Sequence, residues 1–390
     1  MTGIEKQFIS EHLQDDTARL ALHLSAAKTG MDVPLVLRQI AGRQAIRQKL
    51  PQWYADDNIL YPEHLPLEQC SSALTAAYKS RLLGGVSFAD LTGGFGVDCA
   101  AISDRFEEVY YVERQAQLCA LARHNFAVLG LDRITVVHNE AERYLQQMHP
   151  VDCIYLDPAR RGKRGNKVAG LADCEPDILR LKTLLTEKAP VTLLKLSPML
   201  DITMALRDLP ETSEVHVLSV DNDCKELLFL LKRENAEEPL IHCVNLGKKP
   251  GQAAFTFRRS EEQALPPDGT SSLGEYLYEP NVSLLKAGAY KVLSRFFDVY
   301  KLHRDSHLYT SDRLIPDFPG RVFRVECVFP LNRQELKVHL QGISRAHITV
   351  RNFPSSVDDL RKKLKISPGG SVYLFATTLG DGRKVIIKSA

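Results

Sequence analysis

Four acids stand where apolar runs end. Asp90 follows VSFA, Glu113 follows EVYYV, Glu140 lies two residues past RITVVH, and Asp157 follows VDCIYL. Ionised carboxylates accept hydrogen bonds from hydroxyls and amines. Four of them at successive strand ends suit a ligand that carries a ribose, an amino group or a positive charge. Behind Asp90 come Thr92, Gly93, Gly94 and Gly96, then a fresh apolar run from Val97. This reads as a buried strand, a tight glycine turn and a helix start, where bare backbone comes close to a ligand and free N–H groups point at it. The glycine order is not the G-x-G-x-x-G dinucleotide fingerprint, which disfavours a nicotinamide dehydrogenase. Asp90 could orient the turn or meet an ammonium group. Glu113, twenty residues past Gly93, stands where an acid accepts both hydroxyls of a ribose. Glu140, favoured over Asn139, could meet an adenine amine, and a solvated helix cap explains it equally well.

The run VDCIYLDPARRG places Asp157, Pro158, Arg160 and Arg161 at a strand end. A carboxylate there can accept from an amino group while Pro158 fixes the local backbone. The two arginines can grip phosphate, or they are simply surface residues of a turn. Upstream, LEQCSSALTAAYKSRLL (67–83) predicts one amphipathic helix leading into the first strand. Its start brings Gln69 and Ser72 near the glycine turn, where polar groups often cover a nucleotide. Plain helix capping is the alternative for both.

These residues need a frame. Residues 1–85 read as helical, with Pro51 ending the second apolar-periodic stretch and the single tryptophan, Trp53, in a connector. From 86 onward strands and helices alternate. Strands are expected at 108–113, 133–138, 151–156, 191–196, 214–220 and 239–246, with helices clearest at 114–129 and 175–188. Near-continuous apolar strands between helices predict an α/β fold with a mostly parallel sheet covered on both faces. A Pro- and Gly-rich stretch at 261–274 marks a domain boundary. Past it, YLYEPNVSLLKAGAYKVLSRFFDVYKLHRDSHLYTSD reads as a turn continuing into helix. Strands are expected at 321–329 and 345–353, a Ser-capped helix at 355–366, and a final hairpin turning at Gly380-Asp381-Gly382.

No run of ~18 apolar residues is present, which excludes a membrane-spanning helix. The polar N-terminus lacks a signal-peptide core. Eight scattered cysteines with no C-x-x-C pair and no zinc spacing fit reduced thiols in the cytoplasm and predict no metal. The net charge of +2 hides an asymmetry: residues 281–390 carry 19 Lys+Arg against 9 Asp+Glu, a balance of +10. A polyanion would meet that quarter first, unless it is only a solvated basic surface.

Residues 86–245 resemble the class I S-adenosylmethionine (SAM)-dependent methyltransferases. DLTGGFG matches motif I, with Thr92 where a first glycine often stands; YYVER matches motif II and DPARR occupies motif IV. The whole chain is similar to bacterial methyltransferases with a C-terminal THUMP-like domain, through LEQCSSALTAAYK, YLDPARRG, LSPMLDI, CKELL and HITVRNFPSSVDDLRKKLK. The resemblance implies a Rossmann-like methyltransferase sheet with an N-terminal helical region (1–85), a catalytic domain (86–260), a ferredoxin-like domain (275–325) and a THUMP-like RNA-binding domain (326–390). It implies SAM held by Gln69, Ser72, Asp90, Thr92, Gly93, Gly94, Gly96, Glu113 and Glu140. Catalysis would fall to Asp157 and Pro158, and RNA contacts to Arg160, Arg161, Arg345, Arg351, Arg361, Lys362 and Lys363. The expected activity is methylation of a base, at a nitrogen, in tRNA or rRNA. The alternatives are an RNA-binding protein without catalysis and a methyltransferase of some other substrate. Amino-methylating relatives carry [DNS]-P-P-[YFW], and here Ala159 and Arg160 fill the last two places. Base stacking is therefore expected from Tyr155, Phe95 or an arginine plane. No cysteine lies in DPARR to support C5 methylation.

Overall fold

A computed structural model describes residues 1–24, 30–160, 170–234, 237–247, 254–266 and 269–389. The chain divides into two compact units, residues 1–213 with 228–237 and residues 214–227 with 238–390. All eight cysteines are free thiols. No helix among the described residues is long and apolar enough to cross a membrane.

The first unit opens with α1 (Gly3–Glu11), α2 (Thr17–His23), α3 (Val33–Ile46) and α4 (Pro51–Ala55). Pro51 does not stop a helix as expected. α3 has already ended at Ile46, and Pro51 opens α4, where a missing N–H costs nothing. The single helix expected over 67–83 is two helices, α5 (His64–Gln69) and α6 (Ala73–Ser80). Cys70 and Ser72 are extended, and the Ser72 hydroxyl accepts from the Thr75 amide as the cap of α6. Serine offers the backbone a local alternative to helical bonding, and two in a row break the run.

Strands and helices then alternate: β1 (Ser87–Asp90), α7 (Val97–Ser103), β2 (Glu108–Glu113), α8 (Ala116–Val128), β3 (Ile134–His138), α9 (Ala141–Gln147) and β4 (Cys153–Leu156). A short antiparallel pair, β5 (Ala159–Arg160) and β6 (Cys174–Glu175), precedes α10 (Ile178–Lys188), β7 (Val191–Leu196) and α11 (Ile202–Asp208). The strands lie in the order β7-β4-β1-β2-β3, each neighbour parallel. All four residues of β4 are buried, as a central parallel strand requires. The chain winds outward from β1 in both directions, so β1 and β4 flank the switch point where open α/β sheets bind ligands.

β8 (Thr212–Val220) and β9 (Asp223–Lys232) follow. β9 is a strand that the sequence reading did not single out. In the second unit β10 (Leu240–Leu246) runs parallel to β8, and β11 (Phe255–Arg258) antiparallel to β10. After α12 (Arg259–Ala264) comes a seven-stranded sheet. Its parts are β12 (Tyr276–Pro280), α13 (Val282–Ala287), α14 (Lys291–Phe297), β13 (Tyr300–Lys301), β14 (Tyr309–Ser311), β15 (Gly320–Pro330), α15 (Arg333–His339), β16 (His347–Arg351), α16 (Val357–Leu364), β17 (Tyr373–Thr378) and β18 (Lys384–Ser389), in strand order β13-β14-β12-β15-β18-β17-β16. The expected opening turn at 276–280 is instead the strand β12, paired on one side with β14 and on the other with β15. Its Glu279-Pro280-Asn281 end mimics a turn. Those partners lie 30 and more residues away in sequence, beyond local pattern. The stretch expected to continue as helix also yields β13 and β14.

Candidate active site

Asp90 ends β1, Glu113 ends β2, and Asp157 follows β4, so three acids sit at the carboxyl ends of adjacent strands. With the glycine turn they line a cleft of about 750 Å³, within the usual range for small-ligand sites. Gly93 and Gly96 are required sterically. A Cβ on Gly93 would sit 2.2 Å from the Tyr111 ring, and one on Gly96 would sit 2.9 Å from Phe126 at a φ of +88°. The Tyr111 hydroxyl donates to the Gly94 carbonyl at 2.6 Å. The turn is thus clamped from behind by β2 while its other side faces the cleft.

Glu113 is held in place by two backbone amides. Gly94 N–H donates to Oε2 at 2.9 Å and Gln115 N–H to Oε1 at 2.8 Å. Thr92 links two strand ends. Its amide donates to Asp90 Oδ1 at 3.0 Å, and its hydroxyl accepts from the Asp157 amide at 2.6 Å. Asp90 is 1% exposed. Burial pushes its carboxyl well above the usual range, the Thr92 amide opposes this, and the Asp98, Asp157 and Glu113 charges add to the rise.

The floor of the cleft holds a network with no counterpart in the sequence reading. Asp98 Oδ2 accepts from Ser71 Oγ at 2.8 Å and from the Tyr155 hydroxyl at 2.7 Å, while Lys79 Nζ lies 3.2 Å from Oδ1 and donates to Ser71 Oγ at 2.9 Å. Lys79 is fully buried. Burial alone would raise Asp98, but the Lys79 and Lys195 ammoniums and the Tyr155 and Ser71 hydrogen bonds outweigh it and hold the carboxyl below its usual value. Beside it, Lys195 on β7 donates to Asp157 Oδ2 at 2.5 Å. A lone lysine inside the apolar run VTLLKL is the sequence signal for such a pair, because a charge in a buried strand needs a partner.

Gln69, Asp90, Thr92, Gly93, Gly94, Gly96, Glu113, Glu140 and Asp157 all line the cleft. Ser72 and Pro158 are not among the lining residues; Ser71 is, and Ser72 caps α6. Glu140 is exposed and makes no capping bond to α9. Two expected stacking groups are corrected. Tyr155 is 1% exposed and spends its hydroxyl on Asp98. Phe95 is buried edge-on against Trp53, ring centroids 4.9 Å apart. Neither face is open to a base. At the mouth, Arg114 and Glu175 form a 2.7 Å ion pair.

Arg161 and the Arg160 side chain lie outside the described residues. The basic residues of the C-terminal sheet divide into two kinds. Arg345 Nε donates to the Pro368 carbonyl, Arg361 to the Ala346 carbonyl, and Arg351 pairs with the buried Glu279 at 3.3 Å. Lys362 and Lys363 are exposed on α16. Also in the second unit, Glu214, His216 and His242 bring ligand atoms within 4.8 Å of one another. Their imidazole planes are 11° apart and stacked at 4.5 Å. Both Nε2 atoms face the same Glu214 Oε2, at 3.4 and 3.5 Å.

Two family models match the chain: a ferredoxin-like domain over residues 276–319 and a THUMP domain-like model over residues 320–389. An S-adenosylmethionine-dependent methyltransferase known from two Mycobacterium tuberculosis strains is 24% identical over 324 residues, covering 81% of this chain and 84% of that protein. A crystal structure of a candidate methyltransferase from Porphyromonas gingivalis W83 is 35% identical and superposes with a TM-score of 0.89, covering 99% of this chain and 96% of that one. The glycine turn, the acids around it and likeness along nearly the whole length lead to one assignment: this chain belongs to the SAM-dependent methyltransferases that carry ferredoxin-like and THUMP-like domains at the C-terminus.

Proposed function

We propose that the protein methylates a base nitrogen of tRNA or rRNA in the cytoplasm, with residues 86–260 as the catalytic domain and 326–390 as the part that grips RNA. The observation that carries the reading is the acid-lined cleft at the switch point, with the glycine turn along one side. Its size and its donor set fit a cationic nucleoside. Gly94 leaves the turn open on the cleft side, since a Cβ there would meet nothing nearer than the Thr92 carbonyl at 3.8 Å. Asp90, Thr92, Gly93, Gly94 and Gly96 would hold the cofactor's methionine end, Glu113 its ribose, Glu140 its adenine, and Gln69 the open side.

When bound, the cofactor supplies an activated methyl on a sulfonium, so the protein's task is orientation. Asp157 has one oxygen held by Lys195. With the other it would accept a hydrogen bond from the target amine, aim the nitrogen lone pair, and pass the released proton to water. The +10 balance of residues 281–390 supports a polyanionic substrate.

The test uses RNA from cells lacking the gene, isotopically labelled SAM and nucleoside mass spectrometry. One labelled methylated nucleoside is expected. Asp157→Ala should lower its formation by about 100-fold or more while cofactor affinity, read by calorimetry, stays within about threefold. Tight SAM binding with no labelled nucleoside would move the reading to a substrate other than nucleic acid.

A further inference from the structure

We propose that His347 and Tyr373 form a stacking step for an unpaired RNA base. The proposal rests on the RNA reading above and names where part of that RNA is held. β16 is the edge strand of the seven-stranded sheet and pairs with β17 in register His347↔Tyr373. The two rings stack at 4.8 Å and 19°. Tyr373 leans in turn on Phe323, centroids 4.8 Å apart, and the Arg321 guanidinium lies 5.3 Å from Phe323 and 5.9 Å from Tyr373. The ladder therefore runs from the packed centre of the sheet out to its edge, and its last rung, His347, is exposed.

A flat exposed ring at the end of a stack, with an arginine charge beside the inner rings, offers what a nucleobase seeks from a single-strand binder: a π face that suits any sequence. Duplex RNA hides its base faces, so the occupant this surface fits is an unpaired strand or end. Charge agrees. Arg345, exposed, stands two residues before His347, and residues 281–390 carry the +10 balance. A cross-strand aromatic pair also stabilises a sheet by itself. Such a role needs only the contact with Tyr373, not the open side of His347.

The experiment measures fluorescence anisotropy of the full chain with a labelled, unstructured single-stranded RNA of about twelve nucleotides, and with a duplex of the same length. His347→Ala, checked for folding by circular dichroism, should weaken single-strand binding about tenfold and duplex binding by less than about twofold. His347→Phe should restore it to within about threefold, and the salt dependence of His347→Ala should match wild type because no phosphate contact is lost. Single-strand affinity unchanged in His347→Ala would overturn the stacking step and leave the RNA reading standing. Equal losses on both RNAs would make His347 a backbone contact and overturn the step as well. No binding of either RNA by the wild-type chain would overturn the RNA reading, and the step with it.

Discussion

The cleft of the first unit and the sheet at the C-terminus both set charged groups beside aromatic rings, with opposite treatment of the charge. At the cleft, Lys79 is fully buried and Asp98 nearly so, and Tyr155 and Ser71 complete the carboxylate's bonding. At the sheet, Arg321, Arg345, Lys362 and Lys363 keep much of their charge in solvent, while Glu279 is buried between arginines. A buried pair fixes geometry, since either partner alone is costly to leave in a dry interior. An exposed charge contributes little to stability and stays ready for a phosphate. On the proposed function, one region would hold a small ligand in one pose and the other would attract a long flexible one.

The contrast is checked most strongly by removing one charge from each region. Asp98→Ala leaves the Lys79 ammonium buried without its carboxylate and should cost about 3–5 kcal/mol in urea unfolding at neutral pH. Arg351→Ala leaves Glu279 with Arg321, and Arg351 itself is partly exposed, so it should cost about 1 kcal/mol or less. Similar losses for the two would end the distinction.

Next in size is Gly93→Ala. Its Cβ would overlap the Tyr111 ring, and overpacking of a buried site costs about 1–3 kcal/mol. Because Tyr111 also holds the Gly94 carbonyl, the turn must shift, and calorimetry should show SAM affinity falling by about tenfold or more. An affinity equal to wild type would mean that the turn does not touch the cofactor.

Much of the cleft was legible beforehand because its carriers are local. β2 lies where its apolar run predicts, at 108–113, and strand ends followed by glycine or proline are visible in a single window. The network under the cleft was not. Lys79 sits in an amphipathic helix where a lysine ordinarily faces water, and its partner Asp98 is a first-turn helix acid that reads as dipole compensation. Lys195 and Asp157 are 38 residues apart. Pairing of this kind depends on which strands become neighbours, and neither composition nor period records that. The same reason hid β12 and β14, whose short runs become strands only through partners supplied by β15 and β13.

Within the cleft, Asp90 and Asp98 should differ in sign with pH. The folded-state carboxyl of Asp90 is raised by burial. Its contribution to stability is therefore full below the unfolded carboxylate value of about 3.9 and is lost as pH rises through the raised folded value. Asp98 is lowered in the folded state, so its contribution is present above about 3.9 and is lost as pH falls through the lowered folded value. Urea unfolding between about pH 3 and pH 8 should show Asp90→Asn gaining on wild type as pH rises. Asp98→Asn should lose on wild type over the same change. Parallel trends in the two variants would mean that the two acids share one environment.

The smallest effect on stability belongs to Lys362 and Lys363. Both are exposed on α16, whose Ser356–Asp359 capping box lies at the other end. Replacing both with alanine removes charges near the helix C-terminus, a change of about 0.5 kcal/mol. The RNA effect has a different form. If each lysine neutralises one phosphate, the slope of log affinity against log salt should flatten by about 0.7 per lysine for a single strand. A stacking contact such as the one proposed for His347 should leave that slope untouched. An affinity loss with an unchanged slope would place the lysines away from phosphate and make the charge of α16 incidental to RNA binding.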